Sequence, residues 1–141
     1  MTIEEIQHEL IDEFSMFEDW MQRYEYMIDL GKSLPLIDES LKSDDKLIKG
    51  CQSKVWLNSE INNDKIIFTA DSDAIITKGI IAVLVRVFSN QKPQAILDAN
   101  TDFIDEIGLK EHLSPTRANG LVSMIKQMKM YALAYQTQIN N

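Results

Sequence analysis

The sequence predicts an α+β domain, a small antiparallel sheet packed against helices. Three observations carry that reading: two amphipathic helical stripes open the chain, two β-branched runs separated by Asn62-Asn63-Asp64 follow, and helical patterns fill the rest. The order helix, helix, strand, strand, then helices suits an antiparallel sheet covered on one face, whereas a doubly wound parallel sheet needs an alternation that is absent. With 141 residues, a single domain spanning 1–141 is expected, with its core at about 3–135.

Thr2-Ile3-Glu4-Glu5 has the form of a capping box, so a helix is expected to start there, with Ile3, Ile6, Leu10 and Phe14 on one stripe. Ser15-Met16-Phe17-Glu18 repeats the box, and helical spacing continues through Phe17, Trp20, Met21, Tyr24, Met27 and Ile28 to Gly31, which reads as a C-terminal stop. Residues 32–49, with Ser33, Pro35, Asp38, Ser40, Ser43, Asp44 and Asp45, read as an exposed connecting loop. Residues 53–57 and 65–70 read as two strands of a hairpin turned at Asn62-Asn63-Asp64.

The run from Ala74 to Phe88 is β-branched but too long for a strand without a turn. Asp71-Ser72-Asp73 offers N-cap candidates with acidic charge at the positive end of the dipole, so a buried helix is expected. Pro93 to Leu97 and Asp102 to Ile107 read as short helices, the second closed by Gly108. Ser114-Pro115 opens a long final helix with Leu121, Met124, Ile125, Met128, Ala132 and Tyr135 on one side.

Composition excludes several function classes. Hydrophobic residues are 45% and charged residues 26%, a globular balance. The net charge of −8 has the wrong sign for holding a phosphate backbone, so no nucleic-acid partner is expected. One cysteine and two histidines cannot build a cysteine-rich zinc site or an internal disulfide, so no metal is expected and a reducing cytoplasm fits best. Met1-Thr2-Ile3-Glu4-Glu5 lacks a secretory pattern. The run 74–88 falls short of the roughly 20 residues a membrane span needs and contains Lys78 and Arg86, so no membrane association is expected.

Cys51, between Gly50 and Gln52-Ser53, is the first candidate for chemistry. A cysteine acts through its thiolate and needs access and nearby positive charge. Lys46, Lys49 and Lys54 are close in sequence, and the glycine-flanked polar setting favours access. On pattern alone, a sulfur nucleophile and a space-filling buried cysteine are evenly balanced. A Cys-His-acid hydrolase could be assembled from Cys51 with His112 or His8, although both histidines read as ordinary surface or boundary residues and no peptidase signature surrounds the cysteine. Arg117 falls in the first turn of the last helix, where a cation opposes the dipole, which suggests pairing with an acid or an anion such as a thiolate as readily as a solvated side chain. The five glycines, at 31, 50, 79, 108 and 120, are isolated, so no phosphate-binding or dinucleotide loop is present. Most of the seven methionines read as core filling.

Gly50-Cys51-Gln52-Ser53-Lys54-Val55-Trp56-Leu57, Ala70-Asp71-Ser72-Asp73-Ala74 with Lys78-Gly79, and Leu113-Ser114-Pro115-Thr116-Arg117-Ala118-Asn119-Gly120-Leu121 resemble, in order and spacing, three signature stretches of the SufE family of sulfur acceptors. The resemblance runs from about Ile6 to Met128 and includes Leu30-Gly31-Lys32-Ser33-Leu34-Pro35. It implies a SufE/IscU-like fold and a partner for a pyridoxal-phosphate cysteine desulfurase, SufS-like, whose activity it stimulates. The acceptor takes persulfide sulfur and delivers it to an iron–sulfur scaffold complex. It implies a sulfur-transfer partner without a cofactor of its own rather than a stand-alone enzyme, and it leaves a homodimer open.

By position Cys51 would hold the persulfide, with Gly50, Gln52 and Ser53 contacting the partner, and Asp73 and Arg117 placed near the cysteine loop, Arg117 favouring a thiolate or persulfide anion. The further cysteines with which scaffold proteins hold a cluster are absent, which disfavours a scaffold role. Asn90-Gln91 departs from the family, where glycine is usual, and touches only a turn. A regulatory adaptor that stimulates a desulfurase without carrying sulfur is the other open class.

Overall fold

The structure is a computed structural model and describes residues 1–140. Seven α-helices, two 3-10 turns (Glu39–Leu41 and Asp44–Lys46) and one hairpin are present among the described residues: α1 (Ile3–Ser15), α2 (Trp20–Lys32), β1 (Val55–Asn62), β2 (Lys65–Ser72), α3 (Ile75–Phe88), α4 (Pro93–Asp98), α5 (Asp102–Ile107), α6 (Leu109–His112) and α7 (Pro115–Asn140). The architecture is α+β, as expected. The sequence pattern missed α6, a single turn that follows once Gly108 has closed α5 in the left-handed conformation at φ 87°.

The hairpin is antiparallel, in register from Val55 opposite Ser72 to Asn62 opposite Lys65. Asn63 and Asp64 both take positive φ, 51° and 68°, the geometry a two-residue turn needs to match the strand twist. Val55 and Leu57 on β1 alternate with more exposed neighbours, as do Ile66, Phe68 and Ala70 on β2, so one face is buried in the core except at the turn end, where Ile61 is exposed. Helix α3 packs on that sheet and carries ten buried residues, which is why a β-branched run is stable as a helix: tertiary burial outweighs local propensity. Helix α7 lies alongside, and the Tyr131 hydroxyl donates to the Leu57 carbonyl at 3.2 Å.

Several local expectations are corrected. The Thr2–Glu5 capping box forms, but Ser15 does not begin a second one: its hydroxyl donates to the Asp12 carbonyl at 2.8 Å, and Asp19 caps α2 by accepting from the Gln22 N–H at 2.8 Å. Gly31 does not stop α2, which continues to Lys32. It is buried where α2 crosses α3, and a Cβ there would lie 3.2 Å from the Gly79 nitrogen. Segment 32–49 is not a simple exposed loop. Leu34, Ile37 and Ile48 are buried, and backbone bonds from Ile37 to Ala70 (3.1 Å) and from Ile48 to Val55 (2.9 Å) fasten it to both edges of the hairpin.

Nor does Asp71-Ser72-Asp73 cap α3 as expected. Asp71 pairs with Lys42 at 2.6 Å and Lys78 at 3.4 Å, Ser72 accepts from the Ala74 N–H, and Asp73 bonds to Lys54, because β2 runs through Asp71 and Ser72 and α3 begins only at Ile75. Asn90 sits at φ 61°, a left-handed conformation that asparagine tolerates, in the turn that follows α3.

No helix among the described residues is long and apolar enough to cross a membrane. No group of three or more histidine, cysteine, aspartate or glutamate side chains among them could hold a metal ion.

Candidate functional site

The cysteine loop is delivered to the flank of α7 by Gly50. At φ 93° it occupies the left-handed region, and a Cβ there would stand 2.5 Å from the Ser123 hydroxyl, so backbone and helix meet where only glycine fits without adjustment. The next residue, Cys51, is half-buried and free. Its Sγ donates weakly to the Gly120 carbonyl at 3.7 Å. A Cβ on Gly120 would lie 3.4 Å from the same sulfur, so the thiol sits directly against the part of α7 that carries no side chain.

Beside the sulfur is a cavity of about 70 Å³. Gln52 and Ser53 line it from the loop, Thr77 and Ile80 from α3, and Thr116, Arg117 and Met124 from α7. The volume exceeds the roughly 10–15 Å³ that one water-sized occupant requires. The wall is mixed: hydroxyls, an amide and a guanidinium at one side, Ile80 and Met124 at the other.

Of the residues singled out by sequence, Cys51, Gln52, Ser53 and Arg117 share this cavity, and Gly50 lies outside its lining, against Ser123 of α7. Asp73 does not line it. Its carboxylate accepts the Lys54 N–H at 3.0 Å and its own N–H donates to the Lys54 carbonyl at 3.2 Å, which clamps the backbone three residues beyond Cys51. The contribution of Gly120 was not anticipated, and neither were those of Thr77 and Thr116. The available signal was an isolated glycine inside a helical pattern, which costs about 1 kcal/mol relative to alanine and therefore calls for a packing reason.

Neither histidine reaches the site. His112 stacks on Trp20 with ring centroids 4.1 Å apart, with Nδ1 3.0 Å from the Gly108 carbonyl, and His8 is exposed on α1. With no histidine in the cavity, the Cys-His arrangement a hydrolase needs is not formed.

Burial pushes the Cys51 thiol up from its ordinary value. Burial thus favours the neutral thiol in the resting state, with the Arg117 side chain lining the same cavity. Alkylation by iodoacetamide, followed against pH, is expected to give a midpoint above about 8.5, the value of a free cysteine, and slow reaction at pH 7. A midpoint below that value would show a thiolate already stabilised by charge.

Comparison with known proteins identifies the family. The profile of the SufE family, described as an Fe-S metabolism associated domain, matches residues 8–132. An uncharacterized SufE-like protein of Rhizobium meliloti is 39% identical over 130 residues, covering 88% of this chain and 92% of that protein. One from Synechocystis is 33% identical over 128 residues, covering 90% and 80% respectively. The solution structure of a hypothetical protein from Thermus thermophilus matches with a TM-score of 0.78 at 16% identity, over 94% of this chain and 96% of that one, a likeness of fold alone. The profile match runs through the cysteine loop, the hairpin and both helices that wall the cavity, and the chain belongs to the SufE family of iron–sulfur metabolism.

Proposed function

We propose that this protein accepts sulfur on Cys51 from the persulfide of a pyridoxal-phosphate cysteine desulfurase, stimulates that enzyme by regenerating its cysteine, and delivers the sulfur to an iron–sulfur scaffold. The observation that carries the reading is the pairing of the sole cysteine with a glycine-faced cavity of about 70 Å³, which leaves room for one further sulfur atom beside Sγ.

The chemistry is thiol exchange. The Cys51 thiolate attacks the terminal sulfur of the desulfurase persulfide; a new S–S bond forms at Cys51, and the old S–S bond breaks with its electron pair leaving on the desulfurase cysteine as thiolate. The transferred sulfur keeps its proton, so Cys51–S⁻ and R–S–SH become Cys51–S–SH and R–S⁻. Cys51 must first lose its proton, which burial opposes. Docking would supply what the resting state lacks: movement of the loop 46–53 into a more polar setting, or positive charge from the partner.

Each neighbour then has a part. Gly50 lets the loop present the sulfur, Gln52 and Ser53 offer polar contacts to the partner, and Asp73 holds the following backbone through Lys54. Arg117, which lines the cavity, would favour the persulfide anion once formed. With no second cysteine in the chain, no internal thiol can discharge the persulfide as a disulfide.

Desulfurase turnover separates carrier from adaptor. With excess cysteine, alanine formation is expected to rise when the native protein is added, and to remain at the basal rate with Cys51→Ser. Stimulation that survives Cys51→Ser would establish an adaptor instead.

A further inference from the structure

Helix α7 is apolar on two sides. The inner stripe, Leu121, Met124, Met128 and Ala132, is buried in the core. On the outer side Val122, Met130 and Leu133 remain 50%, 54% and 57% exposed. Together with Ile125, and with Leu97 from α4, they line an open groove of about 450 Å³. Single exposed apolar side chains are ordinary, but a contiguous set in one concavity is the form of a binding surface.

The charge around this groove is the reverse of the protein's. In a chain of net charge −8, residues 115–140 contain Arg117, Lys126 and Lys129 and no aspartate or glutamate. Lys110, Lys126 and Lys129 line the groove, and no carboxylate does. Lys129 is committed to the fold, its Nζ donating to the Leu97 and Ala99 carbonyls at 3.3 and 2.8 Å. Lys110 and Lys126 are exposed and, among the described residues, form no ion pair.

We infer that this groove docks an amphipathic helix of a partner protein, with an apolar stripe bordered by carboxylates. From residue 122 to 133 the floor is about 16 Å long, the length of about three helical turns. The exposed lysines would meet the bordering carboxylates, while the apolar floor takes the stripe. A second copy placed by two-fold symmetry would set these lysines against their own counterparts, and an anionic bilayer would repel the acidic remainder of the chain. No residue of the groove lines the Cys51 cavity, so the two are separate surfaces of the fold.

The test uses two synthetic helical peptides of about 18 residues, about five turns, with one leucine stripe bordered either by glutamate or by lysine, titrated into the full-length isotope-labelled protein. The glutamate peptide is expected to shift amide signals across 122–133 and to bind about tenfold or more tightly than the lysine peptide. Lys110→Glu combined with Lys126→Glu should reverse that preference. Leu133→Asp should remove binding while leaving the melting transition and Cys51 sulfur uptake as in the native protein. Equal binding of both peptides or binding of neither would overturn the inference. So would vesicles of phosphatidylglycerol engaging this face in place of the peptide, or self-association that Leu133→Asp abolishes.

Discussion

Replacing Gly79 with alanine is expected to destabilise the fold by about 2–3 kcal/mol, lowering the melting temperature by roughly 5–10 °C. The cause is the crossing of α2 and α3. A Cβ at Gly79 would fall 2.6 Å from the Met27 carbonyl oxygen and 3.1 Å from Met27 Cγ, and the first of these is backbone that cannot rotate away. The two helices would have to separate, and α3 is the central buried element, with Ile80, Ile81, Val83 and Leu84 beside the crossing. Alanine's better helix propensity returns about 1 kcal/mol at most, less than the overpacking costs. Gly31→Ala should be milder, because its Cβ would meet the Gly79 nitrogen at 3.2 Å. Urea unfolding measures both, and an unchanged midpoint for Gly79→Ala would show that the helices do not cross this closely.

At Gly120 the same substitution is expected to act on chemistry and spare the fold. Its Cβ would lie 3.4 Å from Cys51 Sγ, an ordinary contact for the resting thiol, so the protein should fold and melt as the native one does or slightly higher. The persulfide is the larger species, and the added methyl narrows the space beside it. An overpacking cost of about 1–3 kcal/mol falling on the loaded state alone corresponds to a drop of roughly five- to 150-fold in sulfur uptake. Single-turnover transfer from a loaded desulfurase measures it. Uptake at the native rate with Gly120→Ala would place the transferred sulfur outside the cavity.

What could be read in the chain depended on how local the signal was. Thr2 and Glu5 satisfy each other's backbone three residues apart, and Asn63 and Asp64 take the turn their side chains tolerate, so α1 and the hairpin turn were legible directly, whereas β1 runs five residues past the expected 53–57 through Asn58, Ser59 and Glu60, which carry little strand propensity. Helix α3 was legible by length against its own β-branched propensity. Gly31 was misread because a glycine at the end of a helical pattern gives the same signal whether it terminates the helix or admits a neighbouring one. The lining of segment 32–49 was hidden because Leu34, Ile37 and Ile48 have no periodicity and are ordered by bonds to the hairpin. At the site, Cys51 and its signature stretches were visible, but the contact that shapes the cavity joins residues 69 positions apart and leaves only an unexplained helical glycine in the sequence.

The most direct test of sulfur carriage is the intact mass of the protein after incubation with a cysteine desulfurase and cysteine without reductant, run beside Cys51→Ser. The account predicts a gain of one sulfur atom on the native protein, none on Cys51→Ser, and return to the starting mass with a reducing thiol. An unchanged native mass while the desulfurase turns over, or the same gain on Cys51→Ser, would contradict it.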